Sequence, residues 1–134
     1  MYDTLQPLVI SAVDAAYRAA FPNVPIVYGN DPFDWNNAPE TFVTLEVITN
    51  GGRPIGSNAD PKTRYPGYVY VCAQTRAGAG SSLNRQIITW FITALKYRAI
   101  GAMRLQEPEP DTDGDAPAGW YSDDLKVSFY ADEP

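Results

Sequence analysis

Three stretches of this chain alternate apolar and polar residues with a period of two, and the first two are separated by a loop rather than a helical stripe. In Thr41–Thr49, Val43, Leu45 and Val47 fall on one side and Thr44 and Glu46 on the other. Phe42 and Ile48 on that second side imply that it is partly covered too. In 65–76, Val69, Val71 and Ala73 point one way and Tyr68, Tyr70 and Cys72 the other. In 121–131, Leu125, Val127 and Phe129 alternate with Lys126, Ser128 and Tyr130. Alternation of this kind marks half-buried strands, because successive side chains leave a strand on opposite faces. Strands joined by loops pair antiparallel. The chain is thereby held to a sheet with an apolar face that something must cover.

Two helical stripes supply the cover. Leu5, Leu8, Val9, Ala12, Val13, Ala16, Tyr17 and Ala20 recur at spacings of three and four, the pattern of an amphipathic helix. Asp3 or Thr4 stands where it can cap that helix, Pro7 sits in its first turn, and Phe21-Pro22 ends it. Leu83, Ile87, Trp90, Phe91, Ala94 and Leu95 form the second stripe, widened by Ile88, Ile92 and Tyr97. A girth that apolar predicts a helix that is deeply buried or packed on two neighbours. Short strands are expected at 25–28 and 102–106, and loops at 29–39, 50–64 and 107–119. The reading is a single α+β domain over 1–134, a mostly antiparallel sheet with two amphipathic helices packed on one face. At 134 residues no disulfide or metal is needed to hold it.

Composition narrows the chemistry. There is no histidine, which removes the commonest general base and metal ligand. A Ser-His-Asp or Cys-His centre is thereby excluded. The one cysteine, Cys72, forms no intrachain disulfide and reads as a small buried apolar residue made in a reducing compartment. The first residues carry no basic region or apolar run of a secretory signal, and no segment is apolar enough to span a membrane. A net charge of −6 opposes nucleic-acid binding by counterion release. Asp111-Thr112-Asp113-Gly114-Asp115 begins like a calcium loop, but the sixth and twelfth places hold Ala116 and Ser122 instead of glycine and glutamate. Asp123 and Asp124 are neighbours and point to opposite faces of a strand. Gly78-Ala79-Gly80-Ser81-Ser82 opens a helix after a strand and offers N–H groups to an anion, without a nucleotide-binding fingerprint. No catalytic residue, cofactor or metal site is expected.

Two loops stand out as contact candidates. The 29–39 loop holds Phe33 and Trp35 among polar residues, and Trp35 is a candidate anchor for a partner because aromatics concentrate in interface cores. The 50–64 segment is expected to be a long flexible loop and is the most basic stretch of an acidic chain, with Arg53, Lys62 and Arg64; the plainer reading of it is a solvated, mobile hairpin tip. Loops of that length inside a compact domain are often functional.

The order of local patterns resembles a known family. Phe21-Pro22-x-x-Pro25-Ile26-x-Tyr28 follows the first helix, then an alternating strand and a glycine-rich basic loop. Gly67-Tyr68-Val69-Tyr70-Val71 comes next, then a Gly/Ala turn, a helix beginning Leu83-Asn84-Arg85, and a final strand pair split by a polar loop. This layout is similar to the tail terminator proteins of long-tailed bacteriophages. The resemblance implies a non-enzymatic virion protein, made in the host cytoplasm and assembled at the tail and neck. It implies a homohexameric ring that caps the tail tube, stops its polymerisation and offers a surface to the head–tail connector, with DNA passing through the lumen unread. It implies that the 50–64 loop, with Arg53, Ile55, Lys62 and Arg64, reaches the tube protein or the next subunit. Tyr68, Tyr70 and Tyr130 are then ring contacts. A head–tail adaptor or tail tube subunit is the near alternative, and a small cytosolic ligand-binding or enzymatic domain the remote one.

Overall fold

The structure, a computed structural model, describes residues 2–29, 34, 37–111 and 118–134. A single 3-10 turn, Tyr2–Thr4, leads into helix α1 (Leu5–Ala20), and helix α2 covers Ser82–Leu95. The strands are β1 (Ile26–Tyr28), β2 (Thr41–Thr49), β3 (Arg53–Ser57), β4 (Asp60–Arg76), β5 (Ala99–Ile100), β6 (Met103–Asp111) and β7 (Trp120–Glu133). They form one sheet in the order β1-β2-β4-β7-β6-β5. β3 pairs with the first part of β4, so it lies end to end with β2 along the same side of that strand. The described pairings are antiparallel except β1 with β2, which is parallel. The sheet is therefore mixed, and the α+β architecture with both helices on one face is as the alternation predicts.

The odd-numbered positions of the long strands build the core. Val43, Leu45, Val69, Val71, Leu125 and Val127 are sealed from solvent beneath the helices. From above, α1 presents Leu5, Val9, Val13 and Tyr17, and α2 presents Ile87, Phe91 and Leu95. Burying each such side chain stabilises the fold by about 1.5–3 kcal/mol. Aromatic contacts join the two helices. Tyr17 stacks on Phe91 at 5.4 Å between centroids and meets Trp90 edge-on at 5.7 Å. The buried Tyr17 hydroxyl donates to the Val24 carbonyl at 3.1 Å, which ties the turn after α1 to the helix.

Four local expectations change. Residues 50–64 are not an irregular loop: β3 and the start of β4 pair as a hairpin, with Asn58-Ala59 at its turn. Backbone hydrogen bonds hold these residues where no apolar side chains do. Second, β6 runs on through Glu107, Pro108, Glu109 and Pro110 to Asp111, where a loop is expected. A register shift between Leu105 and Pro108 breaks the period of two. An edge position lets the prolines stand without a donor facing β7. Third, α2 ends at Leu95, and Tyr97 lies outside it at φ +51° and 66% exposed instead of extending the stripe. Fourth, Thr4 occupies the N-cap of α1, but its side chain makes no capping hydrogen bond.

Candidate interaction surface

Seven of the sequence-selected contact residues share one face of the sheet. Arg53 lies opposite Arg64, and Ile55 opposite Lys62. Along β4 the same face continues through Tyr68 and Tyr70, and across β7 it includes Tyr130, opposite Pro66. Residues directly opposite in a ladder share a face, as do alternate residues of one strand. This is the face turned away from the helices. The eighth candidate, Trp35, lies outside the described residues.

The hairpin carries the basic end of this face beyond the body of the domain. Thr63 with Glu133 is the last rung between β4 and β7, so 55–62 pair only with each other. Arg53 and Lys62 are exposed and Ile55 is half-exposed. Gly56 adopts φ +80°, and a Cβ there would fall 2.7 Å from the Asp60 carbonyl oxygen. At the turn the Asp60 N–H donates to Ser57 Oγ at 3.2 Å. At the root, Arg64 donates twice to Asp132, at 2.8 and 2.9 Å, with its guanidinium 4.2 Å above the Tyr130 ring. The pairing with Arg64 holds the Asp132 carboxyl below its ordinary range. The root is thereby anchored while Arg53, with no ion-pair partner among the described residues, points outward.

Nearer the centre of this face the tyrosines are half-buried. Tyr68 and Tyr70 meet edge-on at 6.3 Å, and the Lys126 ammonium sits 4.6 Å over Tyr68. The Tyr70 hydroxyl donates to Asp124 at 2.6 Å, and Ser122 also donates to that carboxylate. Beside them the Cys72 thiol is pushed up to about 12, by burial first and then by the Asp124 charge. That thiol is unreactive, as expected of a small buried side chain.

A second feature was not legible as a site. Asp123 and Asp124 do point to opposite faces, but each is only 2% exposed. Asp123 faces the helix side, in line with Ala73 and Leu125. Its Oδ1 accepts from the Tyr121 hydroxyl at 3.1 Å, while its Oδ2 is buried without a hydrogen-bond partner among the described residues. Burial raises the Asp123 carboxyl above its ordinary value; Tyr121 and Arg85 oppose that shift and Asp124 adds to it. Asp123 lines a cavity of about 270 Å³ between α2 and the β6–β7 pair. The walls are Ile88, Ile92 and Pro110, and Asp111, Asp124 and Arg85 also line it.

This burial has a consequence for stability. A carboxyl raised in the folded state destabilises the fold once it ionises, so its penalty is full at neutral pH and vanishes below the unfolded value. Asp123→Asn is therefore expected to stabilise the domain at pH 7. The gain should shrink to nothing as the pH falls to about 3. Denaturant titration of both forms across that range measures it.

The Gly78–Ser82 turn does form the expected strand-to-helix connection, with Gly78 and Gly80 at positive φ. Arg76, at the end of β4 before this turn, donates to the Ala38 carbonyl at 3.0 Å and lies 4.7 Å over Trp120.

No family model and no curated protein matches the chain. Among solved structures, one that carries no descriptive name superposes with a TM-score of 0.67 at 13% identity, covering 100% of this chain and 96% of that one. The likeness extends over the whole domain and is one of fold.

Proposed function

We propose that this chain is a structural virion protein of the tail terminator kind. Copies join in a six-membered ring that caps the tail tube, ends its polymerisation and offers the neck a surface for head attachment. The observation that carries the reading is the basic hairpin projecting from one end of an acidic domain, continuous with the tyrosine-bearing face. A surface patch at one end of a molecule that meets a different patch on the next copy generates a ring or a filament. The order of sequence patterns that resembles the tail terminators supports the closed form. A net charge of −6 suits a lumen through which DNA passes without sticking. In this reading the partners are further copies, the tail tube protein and a neck protein, and the protein performs no catalysis.

The test is tail length by negative-stain electron microscopy in lysates of a phage deleted for the gene. Overlong, irregular tails unjoined to heads are expected. Absence of tails would instead make the chain a tube or initiation component. Normal-length tails without heads would make it a neck adaptor, and unaltered particles would overturn the assembly reading.

A further inference from the structure

The hairpin and the Asp123 cavity lie at opposite ends of β7. Asp123 is near the start of that strand and Asp132, which anchors the hairpin root, near its end. Nine positions of extended chain separate them, about 30 Å; Arg53 is level with Asp132 through Arg64, and Lys62 stands beyond it. No side chain spans that gap, so the two features cannot meet within one molecule.

Their chemistry is nevertheless matched. The outward face of the hairpin sets Ile55 beside Lys62, with Arg53 two positions back along β3; Lys62 also lies 3.8 Å from Asp60 in an exposed ion pair. The cavity sets an apolar wall of Ile88, Ile92 and Pro110 beside Asp111, Asp123 and Asp124 and one basic residue, Arg85; of the three acids, Asp124 has its carboxylate held on the other face by Tyr70 and Ser122. Asp123, which lines that cavity, keeps Oδ2 buried as an acceptor without a donor among the described residues. Among the described residues no three Asp, Glu or Cys side chains gather closely enough to hold a metal ion. The donor that fits is an organic cation whose aliphatic stem lies on the apolar wall.

We propose that the hairpin of one copy seats in the Asp123 cavity of the next, Ile55 against the apolar wall and Lys62 and Arg53 toward Asp123. This rests on the reading of the chain as self-assembling and names the contact that joins its copies. The contact is heterologous: each molecule gives its hairpin at one end and its cavity at the other. Occupation supplies Asp123 Oδ2 with a donor that the described residues do not provide. The area around a single hairpin is small, which makes the contact dependent on its charges.

Cysteine trapping tests it on the full chain. Ile55→Cys is placed in one preparation and Thr89→Cys, an exposed position lining the cavity, in another. The two are mixed under mild oxidation, where the buried Cys72 thiol takes no part. A mixed disulfide dimer is expected, and a chain carrying both substitutions should give a ladder of covalent multimers. Asp123→Asn, although it stabilises the fold, should weaken trapping about tenfold, and so should Arg53→Glu with Lys62→Glu. That opposition separates the contact from folding. Absence of the mixed dimer, or dominance of Ile55→Cys homodimers, overturns the contact. Sedimentation of the unsubstituted chain separates the two readings. A closed oligomer without trapping refutes this contact and leaves the ring standing. Trapping into chains that grow without closing keeps the contact and refutes the ring.

Discussion

Replacing residues 55–62 with Asn-Gly is expected to leave the domain folded and to abolish its assembly. The excised residues are exposed apart from the half-exposed Ile55, and their ladder lies beyond the last rung with β7. Little core is lost with them, and Asn-Gly closes a two-residue hairpin in the type I′ turn that matches strand twist. The new turn would join Pro54 to Thr63, an existing rung, so Arg64 keeps its pairing with Asp132. The melting temperature should therefore move by only a few degrees, since surface changes away from special features stay within about 0.5 kcal/mol. Assembly, read by sedimentation or by complementation of the overlong-tail phenotype, should be lost altogether. If the shortened chain fails to fold, the hairpin is part of the domain's structural frame and not an interaction arm. If it folds and assembles normally, the contact lies elsewhere on the tyrosine face.

What could be read from the sequence follows from where side chains have to choose a face. In β2, β4 and β7 one face meets the helices, so a one-residue slip would bury Glu46 or Lys126, and apolar residues keep to the odd positions of that face. Those strands, their facing residues and the antiparallel order were legible. The hairpin was not, because both of its faces meet solvent. Arg53-Pro54-Ile55-Gly56-Ser57 is under no pressure to alternate, and Asn58-Ala59 lacks the glycine that would announce a tight turn. The strand character of 107–111 was hidden by the irregularity after Leu105. Asp123 and Asp124 were hidden for a different reason. Adjacent carboxylates read as a solvated edge, and their burial depends on α2 crossing one face and on Tyr70 leaning over the other. The available signal was the hydroxyls around them, Tyr121, Ser122 and Tyr70, which a carboxylate needs once it leaves water. The grouping of the seven contact candidates was implicit in parity. Once the turn is set at 58–59, Arg53 and Ile55 fall on the face of the even positions of β4.

The same frame fixes where the sheet tolerates no side chain at all. Gly67 sits where β4 exchanges one neighbour for another: it is the last partner of β2, opposite Thr49, just after the bond from the Asn50 N–H to the Pro66 carbonyl. On its other side it opposes Phe129 of β7. A Cβ at this position would lie 2.2 Å from the Ile48 carbonyl oxygen and 2.8 Å from Phe129 Cζ. The first neighbour is backbone held in the ladder and the second is a buried core ring, so neither yields easily. Gly67→Ala is expected to cost about 3 kcal/mol, the upper part of the range for overpacking. For a domain of marginal stability that is a large share of the total. Gly51→Ala is the matched control, since a Cβ there meets nothing within 4 Å and should change stability by less than about 0.5 kcal/mol. Urea unfolding of the two variants measures both. The loss should appear as a lower midpoint at unchanged slope, because the strain is local and the surface exposed on unfolding stays the same. Equal stabilities would mean that β2 and β4 do not approach as closely at this point as the register requires. The hairpin would then be free to swing about Gly67, and the rigid projection that carries Arg53, Ile55 and Lys62 outward would lose its footing.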